Sequence, residues 1–178
     1  MIQQNQLDAY IQALKDETTN IYSKKAYDAL DFHCRDCITL ASIIGNTTKK
    51  ILDIGSGCGF PAVIIALMNP NNSVIAVESK SRKTQFLHRV KTLLDLSNLS
   101  ICTQDIHTWR GSADIITAKA FKPIPQVLKC AQHIKKAQYG YIPISQTQVA
   151  GLSHAVLNSM TASVVQKDGF YYLRFSLD

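Results

Sequence analysis

The stretch KILDIGSGCGFPAVIIALM, residues 50–68, constrains the chain more than any other. An apolar run ends at Asp53 and Ile54, glycines follow at 55, 57 and 59, and an apolar run resumes after Pro61. A short apolar strand that turns through glycines into a helix is the opening of a βαβ unit. Pro61 suits the first turn of that helix, where a missing N–H costs no bond. In an open parallel sheet, ligands bind beyond the C-terminal ends of the strands, which places this turn in a crevice. Glycines there reach positive φ and let a ligand approach the main chain. A tight turn without a ligand is the plainer alternative; three alternating glycines after an acid argue against it.

The rest of the chain repeats the alternation. SVIAVE (73–78), LSICTQ (99–104), ADIITA (113–118) and YGYIPI (139–144) read as strands. Helical patterns lie between them at 81–96, with Phe86, Leu87, Val90, Leu93 and Leu94 inward, and at 125–137. A helix is predicted over 146–159, then a hairpin of ASVVQ and FYYLRFSL about a turn at Asp168–Gly169. Two amphipathic helices come first. One carries Leu7, Tyr10, Ile11 and Leu14; the other runs from Tyr27 to Ile44 and stops at Gly45. The pattern predicts an α/β fold, a seven-stranded and mostly parallel Rossmann-like sheet closed by an antiparallel hairpin. That arrangement resembles the class I S-adenosylmethionine-dependent methyltransferases. Residues 1–46 form a helical extension and 47–178 the Rossmann-like domain, expected to fold as one unit of 178 residues.

Composition narrows the class. Apolar residues make up 46% and charged residues 18%, which suits a globular protein. No uncharged apolar run approaches the ~18 residues of a membrane span. The polar start, MIQQNQLDAYIQALKD, lacks a secretion signal, so a cytoplasmic monomer is expected. A net charge of +6 favours partners that carry phosphate. The five cysteines, at 34, 37, 58, 102 and 130, are odd in number and scattered. Cys34 and Cys37 fall on the apolar stripe of the second helix and are expected as core thiols, with no metal site.

The loop also discriminates between ligands. A dinucleotide fingerprint would place its third glycine at residue 60, where Phe60 stands. Asp53-Ile54-Gly55-Ser56-Gly57-Cys58-Gly59 instead matches the acid-x-G-x-G-x-G of S-adenosylmethionine sites. Glu78 ends the second strand, where a carboxylate can accept both ribose hydroxyls of a nucleoside. Asp105, Ile106 and His107 follow the third strand and are candidates for the adenine edge; Asp105 could equally cap a turn. A nicotinamide-dependent oxidoreductase is the rival on this fold.

The acceptor is approached by elimination. DIITAKAFKP (114–123) has neither the N/D-P-P-Y/F of amino-group methylases nor the cysteine of cytosine-C5 enzymes. Guanine N7 needs neither, because it offers a lone pair with no proton to remove. At this point the sequence resembles the 16S ribosomal RNA guanine-N7 methyltransferases, the glucose-inhibited division B family. The resemblance rests on FHCRDC (32–37), ILDIGSGCGFP (51–61), VESKSRKTQFL (77–87) and ITAKAF (116–121), in order. It implies donor contacts at Gly55, Phe60, Ile106, His107 and Lys119, with 16S rRNA or the small ribosomal subunit as partner. Lys119 stands where the family carries arginine and is the candidate catalytic residue. Ile144 stands where the family carries lysine, and Cys37 where it carries serine. A non-catalytic binding protein is therefore the second rival.

Four cations, Arg82, Arg89, Lys122 and Lys129, are candidate RNA contacts; solvated faces are the alternative. Trp109 is expected to pack rather than to stack on a base. His33 and Asp36, i and i+3 on one helix, are expected to bond each other and tie the N-terminal helices to the domain; a place in the crevice wall is the alternative.

Overall fold

A computed structural model describes residues 2–19, 21–23, 27–152 and 161–177. Helices α1 (Ile2–Asp16) and α2 (Leu30–Ile44) precede the sheet. Then come β1 (Lys50–Ile54), α3 (Ala62–Met68), β2 (Ser73–Glu78), α4 (Ser81–Leu93), β3 (Leu99–Thr103) and β4 (Ile115–Thr117). The chain continues through α5 (Ile124–Ala131), β5 (Tyr139–Ile144), α6 (Gln146–Gly151), β6 (Ala162–Lys167) and β7 (Phe170–Ser176). The strands form one sheet in the order β3-β2-β1-β4-β5-β7-β6. The first five are parallel, and β7 runs antiparallel between β5 and β6. The mostly parallel sheet with a terminal hairpin is the one expected from the alternation.

Both faces of the parallel part are covered, which explains its unbroken apolar runs. Ile51 of β1 joins Tyr10 and Leu14 of α1, Cys34 and Cys37 of α2, and the helices α3 and α4. Leu52 and Ile54 face the other way, onto Val127, Leu128 and Ala131 of α5. The two cysteines of C-x-x-C are 3% and 0% exposed, inside that first cluster. Pro143 is tolerated in β5 because β4 pairs no further than Tyr141, so the proline faces no ladder on that side.

Several boundaries differ from expectation. Tyr27 and Asp28 are helical as expected, and the Tyr27 ring stacks on Tyr22, but a turn at Ala29 separates them from α2, which starts at Leu30. It does end at Gly45, whose φ is 74° and whose N–H donates to Ala41 O at 2.9 Å. Helix α4 ends at Leu93, where Leu94 takes the inward place and leaves Leu93 58% exposed. Helix α5 stops at Ala131, six residues early. The N–H groups of His133 and Ile134 turn back onto Cys130 and Ala131, and Lys136 takes φ 63° to reverse the chain into β5. Helix α6 is capped by Ser145, whose Oγ accepts from the Gln148 N–H at 3.1 Å. The 153–159 part of that expected helix lies outside the described residues.

Strand order reverses beside β1. The chain moves from β1 outward to β2 and β3, then returns to place β4 on the opposite side. A crevice opens at such a switch point, above the C-terminal ends of β1 and β4.

Candidate active site

The glycine loop sits at that switch point, and its three glycines have positive φ: 68° at Gly55, 57° at Gly57 and 110° at Gly59. Their surroundings differ. A Cβ on Gly59 would lie 2.5 Å from Val63 Cγ2 and 2.8 Å from the Tyr10 hydroxyl. That hydroxyl donates to Cys58 O at 2.8 Å, so α1 clamps the loop from below. Gly57 faces open space, its nearest neighbours for a Cβ being Gly55 O at 3.8 Å and Lys83 Nζ at 3.9 Å. Gly55 lies against the ring of Phe121, which a Cβ would meet at 2.1 Å.

The acids have separate tasks. Glu78 ends β2 and is buried; its Oε2 accepts from Gly57 N–H at 3.0 Å and its Oε1 from Lys80 N–H at 2.8 Å. It thereby joins the loop to the second strand. Asp53 is 0% exposed and lies under the loop rather than in the crevice. Its Oδ1 accepts from Thr117 Oγ1 at 2.8 Å, and its Oδ2 has no hydrogen-bond partner among the described residues. Burial pushes its carboxyl up to about 7, while the hydroxyls of Ser56 and Thr117 pull the other way. Ser56 is buried and donates to Asp53 O at 3.0 Å.

Three cavities line the crevice. One of about 110 Å³ is bounded by Gly55, Glu78, Asp105, Ile106 and Phe121. Asp105 both lines it and caps its own turn, accepting from His107 N–H at 2.8 Å. The turn-capping reading of Asp105 is thus observed, and its side of the turn faces the cavity. His107 is exposed, and its Nε2 lies 3.5 Å from Lys122 Nζ rather than at the cavity wall. A second cavity, about 270 Å³, holds Gly55, Ser56, Gly57, Phe60, Lys83 and Lys119. A third, about 290 Å³, holds Phe32, Lys122, Pro143, Ile144 and Phe170. His33, Lys119 and Ala120 line both of these last two. Another groove, about 860 Å³ between α1 and α4, contains none of the glycine-loop residues.

At the boundary the expected His33–Asp36 pair is not formed. Asp36 instead pairs with Lys119, their side chains 5% and 12% exposed. Tyr172 secures Asp36 from the sheet by donating to its backbone carbonyl at 2.8 Å. The reason is distance in sequence: β4 carries Lys119 over α2, and a buried carboxylate takes a full charge in preference to a neutral ring. His33 Nδ1 is buried without a partner among the described residues. Burial, then the nearby Lys119, lowers the His33 pKa and favours a neutral ring.

Among the candidate RNA contacts, Arg82 is exposed on α4 and Lys129 on α5, while Lys122 lines two of the cavities. Arg89 pairs with Glu17. Trp109 is half-buried and packs beside the α5 core. Sequence reasoning passed over Lys83 and Phe121 as crevice residues. Both were legible as types, a cation and an aromatic next to motif positions, but their direction depends on how α4 and the 118–122 loop fold back over Gly55.

These residues fit S-adenosylmethionine. Gly57 leaves main chain open to a ligand, Glu78 brings a carboxylate to the neighbouring cavity, and Lys83 offers a cation beside the loop. Among the described residues, no group of three or more His, Cys, Asp or Glu is placed to hold a metal. No described helix is long and apolar enough to cross a membrane.

Sheet order, hairpin and glycine crevice together define a Rossmann-like methyltransferase fold. A SAM-dependent methyltransferase from Aquifex aeolicus has the same fold, with TM-score 0.62 over 87% of this chain and 98% of that one at 14% identity. The chain belongs to the rRNA small subunit methyltransferase G (GidB) family, whose profile matches residues 3–159. The ribosomal RNA small subunit methyltransferase G of Psychrobacter cryohalolentis is 36% identical over 115 residues, 65% of this chain and 47% of that protein. The protein of the same name from Acidothermus cellulolyticus is 31% identical over 102 residues, 57% of this chain and 46% of that protein. The chain thus spans about half the length of these curated relatives.

Proposed function

We propose that the chain binds S-adenosylmethionine at the glycine loop and methylates N7 of a guanine in 16S rRNA of the small ribosomal subunit. The observation that carries this is the meeting of two cavities at His33, Lys119 and Ala120, one holding the open Gly57 and the other free of the loop. Methyl transfer needs a donor seat and an acceptor seat that touch at one place. S-adenosylmethionine supplies an electrophilic methyl on a sulfonium. The N7 lone pair forms the new N–C bond as the S–C bond breaks, so no proton moves and no side chain has to act as a base. The chain's own part is positioning. Gly57 and Glu78 hold the donor's nucleoside, Phe60 backs the loop, and Lys119, anchored by Asp36, sets the wall between the seats. Lys122 at the crevice, with Arg82 and Lys129 exposed on their helices, supplies phosphate contacts, while Arg89, paired with Glu17 in the α1–α4 groove, would meet RNA only beyond the crevice.

Ile144 favours one rival reading, a donor- and RNA-binding protein without turnover, because it places an apolar side chain on the acceptor cavity. Labelled methyl transfer to small ribosomal subunits that lack the guanine modification, with the product base mapped, separates the two. Label at N7 of one guanine establishes the enzyme; donor binding without label establishes the rival.

A further inference from the structure

The third cavity has an unusual rim. Phe32, in the first turn of α2, is 51% exposed. Isolated exposed aromatics are common and need no explanation. Phe32 is not isolated. Its ring lies 5.3 Å from that of Phe170 at 59° and 5.7 Å from that of His33 at 73°. Phe170 opens β7, directly after the hairpin turn, and that hairpin is docked onto α2. Lys167 Nζ donates to Ser42 Oγ at 2.8 Å, and Thr39 Oγ1 lies 3.4 Å from Asp168 Oδ2. Two distant parts of the chain are thus held together to present aromatic faces over one cavity. Its floor is apolar, formed by Ile142, Pro143 and Ile144, and Lys122 stands at its edge.

We propose that this cavity seats the acceptor base, swung out of its RNA loop, with Phe32 and Phe170 as its stacking surface. The inference rests on the function proposed above and specifies the acceptor end of it. An unstacked base presents a large apolar face and a charged backbone, and proteins hold such bases on aromatic rings. Here the rings cover the face, and Lys122 stands where a flanking phosphate would pass. Because the cavity shares His33, Lys119 and Ala120 with the donor cavity, a base seated in it reaches the transfer point.

The test uses the full chain, S-adenosylhomocysteine and small ribosomal subunits lacking the modification. Co-sedimentation measures subunit affinity, and calorimetry measures donor-product affinity. Phe32→Ala is expected to weaken subunit binding by at least about tenfold and leave S-adenosylhomocysteine affinity unchanged, in line with the worth of one base–aromatic stack. Phe32→Trp restores binding, and its indole fluorescence is quenched when subunits are added. Phe170→Ala repeats the loss. Unchanged subunit affinity in Phe32→Ala overturns the stacking surface. When S-adenosylmethionine then replaces S-adenosylhomocysteine, wild-type binding that depends on Phe32 but yields no methylated base upholds the pocket and overturns the catalytic reading. No wild-type binding to subunits overturns both.

Discussion

The two cavities that meet at Lys119 are of similar size, about 270 and 290 Å³, and are built in opposite ways. The loop side is main chain held from beneath. Gly59 is packed against Val63 and Tyr10, Asp53 is sealed under the loop, and Glu78 is bonded to two backbone N–H groups. The far side is a meeting of side chains from α2, the 118–122 loop, β5 and the hairpin. The proposed donor seat is thus mostly main chain packed from below, and the proposed acceptor seat a gathering of side chains from several elements, Phe32 among them exposed.

Breaking the wall between them should cost most. Asp36→Ala leaves Lys119 as a buried, unpaired charge and should lower stability by about 3–5 kcal/mol. Lys119→Met in the same background should recover most of the loss in urea unfolding. A destabilised double variant would mean that Asp36 acts through something other than charge. Next comes the packed side of the loop. Gly59→Ala combines strained φ with crowding against Val63 and should cost about 2–4 kcal/mol. Gly57→Asn, which faces open space and tolerates the φ of 57°, should instead fold, yet lose at least about tenfold in S-adenosylmethionine affinity, a change of about 1.4 kcal/mol by calorimetry. If the two glycine variants exchanged phenotypes, the contrast between packed and open glycines would be lost.

The last contrast is one of pH. Asp53 has a folded pKa of about 7 against an ordinary 3.8. The folded chain keeps that proton to higher pH than the unfolded chain does. Its contribution to stability is therefore full below about pH 4, falls as pH rises towards 7, and is flat above. Asp53→Asn should remove that fall. Urea unfolding of wild type and variant at pH 5 and pH 8 gives the comparison, and an equal difference at both values would place the raised pKa elsewhere.

Legibility in the sequence followed the range of the interaction. The glycine loop, the strand runs and the hairpin were readable because each is set by neighbours a few residues apart: positive φ, a period of two, a turn. The same local logic placed Gly55, Gly57 and Glu78 at the crevice, but it could not foresee that Asp53 would be sealed beneath the loop. Boundaries failed where tertiary packing competed, as at Leu93, displaced by Leu94. The pairing of His33 with Asp36 failed because helical spacing makes the two neighbours without saying what else approaches. Lys119 arrives from 83 residues away.

By itself, then, the sequence determined an alternating α/β chain with a backbone-lined crevice after its first strand, since steric and periodic rules act on adjacent residues. Only the tertiary structure decided which side chains share that crevice. Asp36 meets Lys119, Phe32 meets Phe170, and Phe121 lies over Gly55 because strand order and the docked hairpin bring them together, and no local rule encodes a contact across more than 60 residues.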